Sequence, residues 1–243
     1  MKKYKKIILM IIPITVMLTA CSTSNSKVDT RDRVNMESYS IIINKVKNKK
    51  SNLVGDIVFD KDLGELYEVT GTNAKSISVS VDEGKKVITI KSDKRNLDTG
   101  GNLVIKFGVP IDSIYIDQGN FNLDIFVDSI EKFRGVFESG ISGEIRSENV
   151  KEFNLDLLGA GNITLSGNAE SANILIQGSS ILQGKEMKVK DMKFKLEGTG
   201  SGSVYASNSL DASVDGIGGI SYSGNPEKVN KKVNGIGFIR ELN

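Results

Sequence analysis

The sequence predicts an all-β fold in which about seven short coils of a β-solenoid stack over residues 111–243. Three observations lead to this prediction. Glycines recur at a nearly constant interval after Pro110, apolar residues stand at fixed distances from these glycines, and one short phrase occurs twice. A repeat of about 20 residues is typical of solenoids, because each repeat contributes one coil to the stack.

The recurring glycines are expected to form one corner of each coil. They are Gly119, Gly140, Gly159, Gly178, Gly198, Gly216 and Gly235. A tight corner in a crowded stack favours glycine, because the backbone needs a positive φ or leaves no room for a Cβ atom. The phrases VDGIGGI (214–220) and VNGIGFI (233–239) are then the same corner on successive coils.

Apolar pairs on both sides of the corner have the spacing of a strand. Two and four residues before it stand Leu157 and Leu155, Ile176 and Ile174, Leu196 and Phe194, and Val214 and Ala212. Four and six residues after it stand Ile163 and Leu165, Ile220 and Tyr222, and, counted from Gly200, Val204 and Ala206. Because side chains two residues apart lie on one face of a strand, these residues are predicted to form columns inside the stack.

The energetics of one coil also require stacking. About five inward apolar side chains contribute roughly 1.5–3 kcal/mol each when they are fully buried. Ordering the backbone of about twenty residues costs roughly 20–40 kcal/mol. A single coil is therefore unstable, and only shared hydrogen bonds and a continuous core stabilise the array.

Residues 51–110 are predicted to form a β region that packs on the solenoid. SISVSV and KVITIKS alternate apolar and polar residues on either side of DEGK, which predicts a hairpin over residues 76–92. LVGDIVF and LYEVTG indicate short strands before it, and NLVIKFGVP indicates a strand that ends at Pro110, since proline cannot donate to a ladder. SYSIIINKV, residues 38–46, fits either a short strand or a helical turn.

Residues 1–20 have the pattern of a signal peptide, with the basic head MKKYKK followed by a short apolar run. That run is interrupted by Pro13 and is short for a retained membrane span. Cys21 directly follows Leu-Thr-Ala and resembles the cysteine of a bacterial lipobox, which is acylated and becomes the mature N-terminus. We therefore predict that Cys21 carries lipid, that residues 21–50 form a flexible tether, and that the protein lies on the extracytoplasmic face of the cell membrane.

The amino-acid composition excludes several classes of catalytic and binding site. The chain has no histidine, which excludes Ser-His and Cys-His catalysis and histidine metal sites, and lipid on the single cysteine leaves no free thiol. Without the four lysines of the signal, the chain has 28 basic and 30 acidic residues. A nucleic-acid-binding protein would need clustered positive charge, which this balance does not indicate. We predict no catalytic, cofactor-binding or metal-binding residue and no nucleic-acid partner.

The C-terminal stretch GIGGISYSGNPEKVNKKVNGIGFI resembles the signature of the putative auto-transporter adhesin, head GIN domain family. The matching positions are Gly216, Gly218 or Gly219, Ile220, Tyr222, Gly224, Pro226 and Gly235 to Gly237. GAGNITLSG and GTGSGSVYAS look like internal coils of that family, and the resemblance runs from about Leu63 to the end. It implies a right-handed β-solenoid in an exported or lipid-anchored protein. The segment before Leu63 departs from the family and is expected to form short antiparallel pieces.

Two sets of polar residues near the corner are candidate sites. Asp117 and Glu138 precede the first two corners by two residues, where later coils have Leu157 and Ile176. Carboxylates stacked about 5 Å apart would suit polysaccharide cleavage or calcium binding. Alternatively, a shift of one residue leaves Asp117 in solvent. The residues directly before the corners are Gln118, Ser139, Leu158, Gln177, Glu197, Asp215 and Asn234, and they are expected to form a hydrogen-bonded edge.

A cluster of aromatic residues in the first two coils is the third candidate. It consists of Tyr115, Phe121, Phe126, Phe133 and Phe137. Most of these side chains are expected in the core, and any that are exposed would mark a surface for a ligand or partner.

These features predict a lipid-anchored, non-catalytic module with a structural, adhesion-like or envelope-signalling role. Its expected partners are the membrane, reached through the acyl chains on Cys21, and a protein or polysaccharide of the cell envelope. One alternative is a carbohydrate-binding or carbohydrate-active β-helix, which would need two carboxylates at one sugar site. The other is a sensor, in which a membrane protein docks on the open edge of the last coil.

Overall fold

The computed structural model describes residues 37–44, 53–92 and 101–242. The predicted signal peptide (1–20), Cys21 and the first part of the predicted tether lie outside the described residues. Seventeen strands form in the described part: β1 Tyr39–Asn44, β2 Val54–Phe59, β3 Tyr67–Thr70, β4 Ile77–Asp82, β5 Val87–Ser92, β6 Val104–Phe107, β7 Ile111–Ile116, β8 Asn120–Asp128, β9 Lys132–Phe137, β10 Gly140–Leu157, β11 Ala160–Ile176, β12 Ser179–Leu196, β13 Thr199–Tyr205, β14 Ser209–Val214, β15 Ile217–Ser223, β16 Lys228–Val233 and β17 Ile236–Glu241. One short 3-10 turn, Ala74–Ser76, precedes β4.

The strands from β7 onward form seven stacked coils, which confirms the predicted solenoid. The coils comprise residues 111–128, 132–148, 152–167, 171–184, 191–205, 209–223 and 228–241, and are numbered here coil 1 to coil 7. Each coil has two arms that meet at a corner, and every arm pairs in parallel with the same arm of the next coil. Strands β10, β11 and β12 each run from the second arm of one coil into the first arm of the next.

The predicted columns lie inside the stack. Leu155, Ile174, Phe194 and Ala212 occupy one register position on successive coils, and each side chain is at most 3% exposed. The repeated phrase is also in register, since Val214 pairs with Val233 and Ile220 pairs with Ile239. One repeat of the sequence therefore corresponds to one step of the stack.

Two columns, two positions apart, form the corner, and from coil 3 onward both contain only glycine or serine. The first is Gly119, Ser139, Gly159, Gly178, Gly198, Gly216 and Gly235, and the second is Phe121, Ile141, Gly161, Ser180, Gly200, Gly218 and Gly237. From coil 3 onward, a Cβ atom on a glycine of either column would collide with the backbone of the coil below. Most of these glycines are therefore required by close approach of the coils, and the GxG of the repeated phrase places one glycine in each column.

The register corrects two positions predicted from the sequence. Ser139 occupies the corner of coil 2, and Gly140 comes one position later, where a Cβ atom would collide with the Asn120 side chain. In coil 5 the positions four and six residues after the corner are Gly202 and Val204, so the count from Gly200 was wrong. The ring of Phe194 fills the space beside Gly202, so a large side chain on one arm compensates for a missing one on the other.

The N-terminal region extends the stack by two further layers. In the first arm, β1 pairs in parallel with both β7 and β5, and in the second arm β2 pairs in parallel with both β8 and β6. The expectation of antiparallel pieces before Leu63 is therefore wrong. The predicted tether of residues 21–50 likewise overlaps β1, which is a strand within the fold. Antiparallel strands β4 and β3 then cover this end, and β4 with β5 confirms the predicted hairpin.

One continuous hydrophobic core runs through the N-terminal layers and the coils. It contains β1 residues such as Ile41 as well as coil residues such as Leu165, both fully buried. Within the described ranges, no helix is long and apolar enough to cross a bilayer.

Candidate functional site

The predicted carboxylate pair lies on the surface of the first two coils. Ile114 and Ile116 point into the core, while Asp117 is half-exposed and Glu138 is exposed. Coil 1 has one more residue than coil 2 between this arm and its corner, which produces the one-residue shift considered above. The backbone bonds of the corner place Asp117 and Glu138 in line with Leu158 and Gln177, so the expected alignment with Leu157 and Ile176 is wrong.

Glu138 is part of a local hydrogen bond that ties the first two coils together. The Tyr115 hydroxyl donates to Glu138 Oε1 at 3.0 Å. Burial raises the pKa of Tyr115, and the hydrogen bond to Glu138 raises this pKa further, because both disfavour the phenolate. The carboxylate of Glu138 is thus an acceptor on an exposed edge. Within the described residues, no group of three or more Asp, Glu, Cys or His side chains is placed to hold a metal ion.

The column beside the corner contains two of the side-chain hydrogen bonds expected between coils. Its members are Asp117, Glu138, Leu158, Gln177, Glu197, Asp215 and Asn234, so Gln118 and Ser139 belong one position later. Gln177 donates to Glu197 at 2.6 Å, and Asn234 donates to Asp215 at 2.6 Å. Lys195 and then Gln177 lower the pKa of Glu197 by stabilising its charged form. Two pairs of this column, Gln177 with Glu197 and Asn234 with Asp215, are therefore linked between coils.

The aromatic cluster is mainly core. Phe121, Phe133 and Phe137 are buried, and the rings of Phe133 and Phe153 stack with centroids 5.0 Å apart. Only Tyr115 and Phe126 are half-exposed. The cluster therefore presents no continuous aromatic surface to a ligand.

Oppositely charged side chains pair between neighbouring layers at several places on the outer surface. Lys132 and Glu152 approach to 2.9 Å, and Lys151 and Glu131 to 2.6 Å, each pair joining coils 2 and 3. Further pairs of this kind are Arg134 with Asp156, Arg146 with Asp124, and Lys190 with Glu170. A shallow groove of about 460 Å³ lies beside this surface, and there the Lys188 ammonium lies 4.3 Å from the centroid of the Tyr205 ring.

The surface that differs from this pattern is the C-terminal edge, which we define as coil 7 (residues 228–241) together with Ile217 of coil 6. It carries most of the large hydrophobic side chains that are exposed in the described part of the chain. These are Val229, Val233, Ile236, Phe238 and Ile217, with exposures of 41%, 43%, 74%, 46% and 53%. Val229 and Val233 occupy core columns, and they are exposed because no further coil covers them.

Polar residues replace core residues in two inward positions of coil 7. Lys231 stands in the column of Phe194 and Ala212, and its ammonium lies 4.6 Å from the centroid of the Tyr222 ring. Glu241 stands in the column of Tyr222. These substitutions are typical of a terminal repeat, which must make its outer face soluble. The face remains part apolar and part basic.

Sequence reasoning named the open edge of the last coil only as a docking site in one alternative, and it did not identify the side chains that are exposed there. The inward Val214 and Ile220 of the phrase are buried in coil 6, whereas Val233 and Ile239 at the same positions of coil 7 are more exposed, and only the stacking order accounts for the difference. Lysine at position 231, where the register calls for an apolar residue, was the available signal. The predicted lipidation site, Cys21, lies outside the described residues.

The chain was compared with known proteins. A family model described as putative auto-transporter adhesin, head GIN domain, matches residues 56–226. No curated protein matches the chain.

Several crystal structures share the fold. A putative adhesin from Bacteroides fragilis NCTC 9343 is 18% identical with a TM-score of 0.69, and the match covers 85% of this chain and 94% of that one. A putative lipid binding protein from Parabacteroides distasonis ATCC 8503 is 15% identical with a TM-score of 0.55, covering 86% and 94%. A putative adhesin from Parabacteroides merdae ATCC 43184 is 15% identical with a TM-score of 0.53, covering 86% and 93%. At these identities the likeness concerns the fold alone.

Proposed function

The chain belongs to the putative auto-transporter adhesin, head GIN domain family, and from this premise we propose that it is a lipid-anchored, non-catalytic binding module on the extracytoplasmic face of the membrane. The solenoid is a rigid support that carries a binding surface. The anchor is Cys21, and the binding surface is the C-terminal edge.

The observation that carries the proposal is the position of the exposed edge relative to the chain's entry into the fold. The chain enters at β1, and seven strand-to-strand steps separate β1 from β16 in the first arm. At a spacing of about 4.8 Å per step, the C-terminal edge lies roughly 34 Å from the entry point. A protein held at its N-terminus would present this edge away from the point of attachment.

The length of the preceding chain is compatible with this arrangement. Glu37, where the described fold begins, stands sixteen positions after Cys21. That length spans at most about 55 Å. An anchor at Cys21 would therefore leave enough chain for the solenoid to stand clear of the bilayer with the C-terminal edge outward.

Replacing the proposed lipid attachment site tests the anchor. Cys21→Ser should move the protein from the membrane fraction to the soluble fraction of lysed cells, because no acyl chain can then be attached. Ser22→Ala, which leaves Leu-Thr-Ala-Cys intact, is the matched control and should stay with the membrane. Accessibility of the wild-type protein to protease added to intact spheroplasts would report the extracytoplasmic side. Retention of Cys21→Ser in the membrane fraction would refute lipid anchoring.

A direct assay tests the absence of catalysis. The purified protein, incubated with cell-wall and capsular polysaccharides, should release no reducing ends or unsaturated sugars above the buffer background. The carboxylate pair of Asp117 and Glu138 offers a matched variant, Glu138→Gln. Product release by the wild type that is lost in Glu138→Gln would establish the carbohydrate-active alternative.

A further inference from the structure

We propose that the C-terminal edge is completed by strand addition, in which an extended segment of a partner protein, with carboxylates alternating with aliphatic side chains, pairs with coil 7. The inference deepens the proposed function, because it specifies the chemistry of the partner at the proposed binding surface. It depends on the backbone, the core columns and the charges of coil 7.

The backbone of coil 7 has unused hydrogen-bonding groups along its outer side. Lys228 N donates to Asn208 O at 3.1 Å, and Asn234 N donates to Val214 O at 2.9 Å, so these groups point back to coil 6. Donors alternate sides along a strand, which turns the N–H groups of Val229, Lys231 and Val233 away from the stack. In the described part of the chain, no strand pairs with the outer side of β16 or β17. Such an edge is a template for an added strand.

The core columns of coil 7 lack the layer that covers every other coil. Val229 is 41% exposed while Leu210, one step below, is 2% exposed. Val233 is 43% exposed while Val214 is fully buried. An added strand whose aliphatic side chains point inward would continue these columns and bury both valines.

The charges of coil 7 specify the polar half of the partner. In coils 1 to 3, cations pair with carboxylates one coil away, as Lys132 does with Glu152 and Arg146 with Asp124. Coil 7 carries three outward cations that form no salt bridge with any described residue, namely Lys228, Lys232 and Arg240. The fourth cation, Lys231, stands in an inward column and contacts the Tyr222 ring. Coil 6 has serines in register with these outward cations, so carboxylates for them would have to come from an added layer, which is why the partner segment is acidic.

The same charges disfavour a second copy joined through this edge. Two coils 7 placed edge to edge would bring eight cations together against two carboxylates, Glu241 of each copy. Like charges directly opposite one another on neighbouring strands are destabilising. An acidic partner segment has no such conflict, so the second copy becomes an outcome that the experiment must detect.

Peptides of defined composition test the proposal directly. The probe is an acetylated, fluorescein-labelled peptide of four Glu-Val repeats, and the control probe has four Lys-Val repeats. Fluorescence anisotropy is measured with the full mature chain carrying Cys21→Ser. The Glu-Val peptide should bind at least tenfold more tightly than the Lys-Val peptide, and its affinity should fall severalfold between 50 and 500 mM salt, because exposed charges are screened. Equal binding of the two peptides would overturn the proposal.

Variants of coil 7 separate strand addition from simple charge attraction. Lys231→Pro removes an outward N–H without removing a bond to coil 6, and Lys231→Ala removes the same charge but keeps the N–H. Binding of the Glu-Val peptide should be at least tenfold weaker for the proline variant than for the alanine variant, while both variants keep a cooperative thermal unfolding transition. Equal affinities of two folded variants would refute pairing through the backbone.

A charge reversal keeps the test valid if the proline variant fails to fold. The double variant Lys228→Glu, Lys232→Glu should bind the Lys-Val peptide more tightly than the Glu-Val peptide, whereas Lys91→Glu, on strand β5 at the other end of the stack, should not change the preference.

Sedimentation velocity over a hundredfold concentration range measures whether the protein self-associates. Concentration-dependent self-association that Lys231→Pro abolishes would identify a second copy as the occupant and overturn the proposal. Cys21→Ser fractionation is independent of these measurements, so failure of the anchor and failure of strand addition are distinguishable.

Discussion

Coils 6 and 7 contain the same phrase and have different surroundings. VDGIGGI and VNGIGFI pair residue by residue, yet Val214 is fully buried and Val233 is 43% exposed. Each strand of coil 6 lies between two neighbours, whereas each strand of coil 7 has one. Near-identical residues thus form a core layer in one place and an exposed edge in the other. The difference shows that the repeat determines the backbone, while position in the stack determines exposure and therefore the capacity to bind.

The largest expected difference in stability is between two substitutions in one inward column, at Phe194 inside the stack and at Lys231 in its last coil. Phe194→Ala should lower the free energy of unfolding by about 3–5 kcal/mol, because the buried ring also fills the space beside Gly202. Lys231→Ala, in the same column of coil 7, should cost about 0.5–1 kcal/mol, the range of an exposed cation–π contact. Urea-induced unfolding of the two variants measures both values. Similar losses would show that coil 7 is as firmly packed as coil 5.

An intermediate contrast concerns the corner. Gly216→Val and Gly235→Val each place a side chain against the backbone carbonyl of the coil below. Gly216 is confined on both sides, so its substitution should cost about 2–3 kcal/mol. Gly235 lies in the last coil, which can fray locally, so the cost should be about 1 kcal/mol. Thermal and urea unfolding would measure the difference, and a larger loss for Gly235→Val would mean that coil 7 holds the stack together.

The smallest contrast concerns pH. Ser209 and then Asn208 donate hydrogen bonds to Asp191 and lower its pKa below the ordinary value of 3.8. A lowered pKa in the folded state means that this stabilisation is present above pH 3.8 and is lost as the pH falls through the folded pKa. In the Asp191→Asn variant the free energy of unfolding should therefore fall less steeply in acid than in the wild type. The difference should be less than about 1 kcal/mol, because the group is exposed.

The control for this pH effect comes from coil 7. Glu241→Gln also removes one carboxylate, but one that makes no hydrogen bond with another described side chain, so a difference between the two variants reports the hydrogen bonds of Asp191. Profiles of unfolding free energy between pH 2 and pH 7 distinguish the two variants. An unchanged profile for Asp191→Asn would show that its hydrogen bonds to coil 6 do not contribute.

Much of the solenoid could be predicted because its signals are local and repeat. Apolar residues two apart marked Leu155 and Leu157 as one face of a strand, and the spacing of the glycines located most corners. The errors arose where compensation is not local. Ser139 replaces glycine at the corner of coil 2, and Gly202 is an interior position whose space is filled by Phe194 from the other arm. Neither pairing can be derived from spacing along the chain.

The order of the layers was also beyond the sequence. Strand β1 lies between β5 and β7, so residues 39–44 stack between two segments that come much later in the chain. An apolar run such as SIIIN fits any buried strand, and its place depends on which edges are free when the chain assembles. The candidate sites have the same limitation, because Asp117 faces solvent only through the extra residue of coil 1.

By itself, the sequence determined the coil length, the corners and the inward columns, because a period of two within strands and of about 20 between coils is imposed by the geometry of a β-stack. Only the tertiary structure decided which layer lies beside which, and which copy of the repeated phrase is the last. Exposure depends on neighbours that are distant in the chain, so the edge that we propose as a binding surface is a property of the assembled stack.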